Sequence, residues 1–138
     1  MRERELVQAL ANRLRQENLR EVRVRPGNQR GADIEGILPR SHRRLFIEAK
    51  GVRARENERV AVGEALLQIL RHYDYDVVCA IAVPYTPAFE KLLRSIMPGL
   101  AKLGIHVLLV RPDEIWHVPP MRGFFPEKHE SLLEKLDL

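Results

Sequence analysis

Cysteine is nearly absent from this sequence. Cys79 is the only one, so the chain cannot form an internal disulfide, which is typical of proteins in a reducing compartment. No apolar run approaches the length of a membrane-spanning helix, and the longest lies near residues 77–83. No apolar signal-peptide core follows residues 1–5. These absences predict a cytoplasmic protein without a membrane segment.

Two common kinds of catalytic site also lack support. The histidines, spread from His42 to His129, show no paired spacing of the sort that holds zinc. Ser41 and His42 are adjacent, but no nucleophile elbow and no third triad member accompany them. The sequence contains no internal repeat and no low-complexity tract.

The composition fits one soluble globular domain spanning residues 1–138, with 45% hydrophobic and 30% charged residues. The net charge is +4, and arginine greatly outnumbers lysine. Many arginines fall between residues 20 and 59: Arg20, Arg23, Arg25, Arg30, Arg40, Arg43, Arg44, Arg53, Arg55 and Arg59. Arginine binds phosphate oxygens in a bidentate manner, so this distribution favours a polyanionic partner. Surface ion-pair networks of a heat-stable protein would also explain it.

Hydrophobic periodicity predicts an alternating α/β chain. The predicted helices are residues 2–17, 60–73, 87–102 and 127–136, and the predicted strands are 21–25, 32–38, 44–50, 77–83, 105–110 and 115–118. Thr86 and Pro87 are typical of an N-cap and a first helical position, and Gly104 is typical of a helix end. The continuous apolar run at 77–83 predicts a central strand covered on both faces.

The most informative residues lie on the hairpin predicted from strands 32–38 and 44–50. Side chains alternate along a strand, so Glu48 and Lys50 share a face. If the chain folds back near Arg40 and Ser41, Asp33 lies opposite Glu48 on that face. Two carboxylates and a lysine in one place could hold a divalent metal and a polarised phosphate. Solvated charges on an exposed sheet edge are the other interpretation.

The Asp33 and Glu48-Ala49-Lys50 pattern resembles the PD-(D/E)xK nuclease superfamily, which has the restriction-endonuclease-like fold. The predicted order of elements in residues 2–83, αβββαβ, is similar to the core of that fold, with a mixed central sheet. A further αβ unit at 84–118 and a C-terminal tail with a helix at 119–138 would extend it. The sequence departs from the superfamily pattern at Ala32, where the name has Pro.

The resemblance implies a metal-dependent endonuclease that cleaves nucleic acid, expected to be DNA. Asp33 and Glu48, with the Ala49 carbonyl nearby, would hold Mg²⁺ or Mn²⁺, and Lys50 would orient water or stabilise the transition state. Gln68 lies on the helix where many members place a residue near the scissile phosphate. A symmetric homodimer is expected because two strands need two sites. The predicted nucleic-acid contacts are Arg25, Asn28, Arg30, Arg53 and Arg55.

The opening segment, Glu3-Arg4-Glu5-Leu6-Val7, resembles archaeal Holliday-junction resolvases. Glu3 falls on the apolar stripe of the first helix and Glu5 on the opposite face, so the resemblance implies a catalytic, metal-binding role for Glu3. A frayed terminus that interacts with the helix dipole is the other interpretation. For the whole chain, the alternative function is a non-catalytic nucleic-acid-binding or structural subunit that keeps the fold.

Overall fold

The computed structural model describes residues 1–25, 33–51 and 57–138. Within these ranges the chain forms an α/β structure of four helices and six strands, which confirms the predicted class. In chain order they are α1 (Glu3–Gln16), β1 (Arg20–Val24), β2 (Ile34–Ile37), β3 (Arg44–Ala49), α2 (Glu58–His72), β4 (Val77–Pro84), α3 (Pro87–Leu103), β5 (His106–Arg111), β6 (Glu114–Val118) and α4 (Leu132–Leu136).

The strands form one mixed, open sheet in which the spatial order is the chain order, β1-β2-β3-β4-β5-β6. The β1–β2, β2–β3 and β5–β6 pairs are antiparallel, whereas β3–β4 and β4–β5 are parallel. Parallel neighbours need a crossover, which α2 and α3 provide. Strands β3, β4 and β5 therefore end on the same side, at Ala49, Pro84 and Arg111, and we call this side the carboxyl edge.

Apolar clusters cover both faces of the sheet. On one face, α1 packs Leu6, Leu10 and Leu14 against the sheet in a cluster that includes Ile47 of β3. On the other, α2 and α3 cover a cluster that includes Phe46. Strand β4 is buried along its whole length, Cys79 included, as the continuous apolar run predicted. In the described part of the chain no helix is long and apolar enough to cross a membrane.

Local signals start both crossover helices and end α3. The Asn57 side chain accepts a hydrogen bond from the Val60 N–H at the start of α2. The Thr86 hydroxyl accepts from the Phe89 N–H at the start of α3, with Pro87 in the first turn, as predicted. Gly104 ends α3 with φ of 69°, a left-handed conformation that glycine adopts without a steric cost.

The prediction of a helix over 127–136 was wrong in extent, since α4 covers only Leu132–Leu136. Glu127 instead pairs with His117 of β6 through two backbone hydrogen bonds of 2.8 and 2.9 Å. The helix starts after Ser131, whose hydroxyl accepts from the Glu134 N–H at 3.2 Å. Pairing with the sheet edge therefore overrides the helical periodicity of residues 127–131.

Candidate functional site

Two acidic side chains face each other beside the carboxyl edge. In the antiparallel β2–β3 pair, Ile34 is opposite Ile47. Asp33 precedes Ile34 and Glu48 follows Ile47, so the same register places Asp33 opposite Glu48. Glu48 follows Phe46 on the α2 face of β3, because alternate residues share a face. Asp33 is 9% exposed and Glu48 is 4% exposed. The hairpin thus brings two carboxylates together and removes both from water.

Backbone hydrogen bonds position Asp33 at the start of β2. Its Oδ2 accepts a hydrogen bond of 2.8 Å from the Ala49 N–H, and its backbone carbonyl accepts one of 2.9 Å from the Arg25 N–H. The N–H and C=O of one residue in an extended strand point to the same side. The Ala49 carbonyl therefore projects toward β2 and Asp33, while the next N–H, that of Lys50, donates to Ala82 of β4 at 2.9 Å.

Burial makes negative charge costly at this pair. It is the main reason that the pKa of Glu48 is raised from 4.5 to about 8, with the Asp33 charge second. Burial also raises the pKa of Asp33, while the Ala49 hydrogen bond and the Lys50 charge act in the opposite direction. Glu48 Oε1 is fully buried and has no hydrogen-bond partner among the described residues. Such an atom costs free energy unless it is protonated or meets a ligand.

Lys50 brings the balancing positive charge and connects the pair to α2. Its charge acts to lower the pKa of both acids, but burial raises them by more. Its ammonium lies 3.2 Å from the Glu64 carboxylate, in an ion pair whose lysine side chain is 18% exposed. The sequence carries only a weak signal for this role of Glu64, which lies on an exposed helix face, because the contact depends on how α2 crosses β3.

Glu3 reaches this neighbourhood although its sequence position is distant. A Cβ placed on Gly51 would lie 3.0 Å from the Glu3 backbone nitrogen, so the start of α1 rests against the chain just beyond Lys50. Glu3 and Asp33 line one groove of about 360 Å³. The charge of Glu3 also helps to raise the pKa of Glu48. Glu3 is half-buried and Glu5 is exposed, as the helical stripe predicted.

The remaining predicted residues divide into three groups. Gln68 is half-buried on α2, one helical turn beyond Glu64, and its role stays a prediction. Arg25 lines the groove with Asp33 and forms an ion pair with Glu35, so both of these charges already have partners. The predicted nucleic-acid contacts Asn28, Arg30, Arg53 and Arg55 lie outside the described residues.

The donor atoms are hard oxygens, the kind that Mg²⁺ and Mn²⁺ prefer. In residues 1–25, 33–51 and 57–138, no group of three or more His, Cys, Asp or Glu side chains is arranged to hold a metal. Mg²⁺ needs fewer, since it is commonly bound by one or two carboxylates together with water and substrate phosphate. Two facing carboxylates fit that mode, and one of them has a buried oxygen without a hydrogen-bond partner in the described part of the chain.

No protein-family model, curated protein or solved structure matches this chain.

Proposed function

We propose that the chain is a metal-dependent endonuclease that hydrolyses phosphodiester bonds of nucleic acid, with DNA as the expected substrate. The observation that carries the proposal is the buried Asp33–Glu48 pair beside Lys50 at the carboxyl edge, with a Glu48 oxygen that no described residue hydrogen-bonds. A buried acid pair destabilises a fold, so its presence favours a functional role over a structural one.

Each residue contributes a distinct part of such a reaction. Asp33, Glu48 and the Ala49 carbonyl would hold the cation, and Glu3 lies close enough to affect the charge of Glu48. A bound Mg²⁺ would supply a polarised phosphate and a more acidic water. Lys50, already at the edge of the pair, would stabilise charge that develops on the phosphate oxygens. The ammonium is paired with Glu64, so a substrate phosphate would have to displace that carboxylate, which is 47% exposed.

The restriction-endonuclease-like arrangement is part of the same proposal. The order αβββαβ over α1 to β4 supports it, as does the position of the acids at the start of β2 and the end of β3. The groove shared by Glu3 and Asp33 supports the resolvase-like role of Glu3. A homodimer would supply the two sites needed to cut both strands of a duplex.

The decisive experiment measures cleavage of labelled duplex and branched DNA in the presence of Mg²⁺ or Mn²⁺. Adding EDTA should abolish the cleavage. Asp33→Asn removes one ligand charge and should abolish cleavage. The matched control is Asp76→Asn, which makes the same chemical change at an exposed position. Asp76 lies just before β4, at the edge of the sheet opposite the carboxyl edge. Circular dichroism should show both variants folded. Full activity in Asp33→Asn would contradict the assignment.

A non-catalytic subunit is the second candidate, and the Lys50–Glu64 ion pair favours it because it occupies the lysine that catalysis would use. Thermal unfolding with and without Mn²⁺ tests the metal site that the nuclease requires, without measuring activity. A metal site predicts a higher melting temperature in Mn²⁺ that is lost in Asp33→Asn. A non-catalytic acid pair predicts no shift in either protein.

A further inference from the structure

A second chemical cluster, outside the acid pair, lies where β4, β5 and β6 meet the carboxyl edge. The Tyr85 and Trp116 rings meet edge to face, with centroids 5.9 Å apart. The Arg111 guanidinium lies 4.4 Å from the Tyr85 ring centroid, and the Lys128 ammonium lies 5.3 Å from that of Trp116. Glu114 accepts hydrogen bonds from Arg111, Trp116 and Lys128. We call these five residues the aromatic shelf.

The shelf shares both face and edge with the acid pair. Ala49 is opposite Ala82, so Lys50 is level with Val83; Val83 is level with Leu109, and Leu109 with Trp116. Lys50 and Trp116 therefore stand at the same height on the same face, three strand spacings apart. At about 4.8 Å per spacing, this separation is about 14 Å.

The cations of the shelf are held loosely. The Arg111 and Lys128 side chains are 48% and 56% exposed, and each is paired with the same carboxylate, Glu114. Exposed ion pairs contribute little stability, so either cation can exchange Glu114 for a phosphate at small cost. Trp116 and Tyr85 are half-buried, so neither residue is fully enclosed by the core.

We propose that the aromatic shelf binds an unpaired nucleotide of the strand whose scissile phosphate lies at Asp33 and Glu48; this inference rests on the proposed function. Aromatic rings stack on bases that are free of their own duplex, and adjacent cations bind the flanking phosphates. Val83 and Leu109, which lie between the two sites, are buried beneath α2 and α3, so the strand must pass around the carboxyl edge. At 3.4 Å per nucleotide along one stacked strand, about 14 Å therefore sets a minimum of about four nucleotides. The preferred substrate is thus a strand with an unpaired segment beside the cut.

Trp116 is the only tryptophan in the sequence, so the tryptophan fluorescence of the protein reports directly on binding at the aromatic shelf. The Asp33→Asn variant in EDTA is titrated with a 12-nucleotide oligothymidylate, so that binding is measured without cleavage. Stacking should quench the tryptophan fluorescence. An abasic strand with the same number of phosphates should quench far less, and so should a blunt duplex of the same length. Equal quenching by the abasic strand would overturn the stacking proposal.

Variants then test the ring itself, with binding measured by anisotropy of a labelled oligothymidylate. Trp116→Ala should weaken binding about 5- to 140-fold, the range expected for loss of one base–aromatic stack. Trp116→Phe keeps a ring and should recover much of that loss, which also covers the case in which Trp116→Ala does not fold. The control is Tyr75→Ala, an aromatic that is 94% exposed and precedes β4 on the opposite side of the sheet.

Glu114 provides a test of opposite sign. Glu114→Gln frees Arg111 and Lys128, so oligothymidylate binding should tighten. Glu90→Gln makes the same charge change on α3, where Glu90 pairs with Arg94, and should tighten binding less. Equal effects of the two variants would overturn the specific role of the shelf.

The two proposals fail in different ways. Quenching by the oligothymidylate without any Mg²⁺-dependent cleavage would refute the proposed nuclease function and support the proposed binding site. Cleavage that is unchanged in Trp116→Ala, together with no quenching of the wild-type tryptophan fluorescence, would support the nuclease and refute nucleotide binding by the aromatic shelf.

Discussion

Replacing Glu48 with Gln should stabilise the metal-free protein, and more strongly as the pH rises. Folding raises the pKa of Glu48 from 4.5 to about 8, so the folded state binds a proton that the unfolded state releases across that interval. The slope of unfolding free energy with pH follows the protons bound in the unfolded state minus those in the native state. This difference is negative for Glu48, so its carboxyl destabilises the fold progressively from pH 4.5 to about 8.

The size of the effect follows from the same interval. One proton contributes at most about 1.4 kcal/mol per pH unit, so the stability gained by Glu48→Gln should grow by about 2 to 3 kcal/mol between pH 5 and pH 7. The lower figure allows for the unfolded state, in which a carboxyl with a pKa of 4.5 still binds a fraction of a proton near pH 5. Gln is close to Glu in size, so the packing beside Phe46 is retained.

Urea unfolding in EDTA at pH 5, 6, 7 and 8 measures this, with the variant compared to the wild type at each pH. The comparison is needed because burial lowers the pKa of His106 to about 4 and that of His117 to about 3. Those histidines stabilise the fold above pH 6.5 and lose that contribution on acidification, a slope of opposite sign. It cancels in the difference. A constant difference, or one that shrinks as the pH rises, would refute the burial argument.

Three further predictions concern the surroundings of the acid pair. Glu3→Gln should reduce metal-dependent cleavage strongly and Glu5→Gln barely, because only Glu3 lines the groove with Asp33; equal rates would limit the site to the hairpin. Gly51→Ala should displace the start of α1 and lower the cleavage rate, because the added Cβ meets the Glu3 backbone. Gly63→Ala is the control: its Cβ would meet nothing within 4 Å, so it should raise the melting temperature slightly and leave cleavage unchanged. Equal cleavage rates of the two variants would show that the position of α1 does not matter for catalysis. DNA affinity should fall steeply with salt, and Arg53→Ala should flatten the slope by about one, which filter binding at several salt concentrations would test.

Local patterns in the sequence predicted most of the secondary structure. Every predicted helix and strand has a counterpart in the described residues, because hydrophobic period and capping residues act over short distances. The helix at 127–136 is the exception in length, since the pairing of Glu127 with β6 is a tertiary contact. The restriction-endonuclease-like assignment, the metal and the nucleic-acid partner remain predictions.

The candidate site divides in the same manner. By itself, the sequence determined that Asp33, Glu48 and Lys50 share one face of a hairpin, because strand alternation and one short turn relate them. Only the tertiary structure decided the contact of Lys50 with Glu64, the approach of Glu3 past Gly51, and the alignment of Trp116 with Lys50 across two intervening strands. These depend on helix crossing and sheet register, which the packing of the whole core decides and no local pattern records.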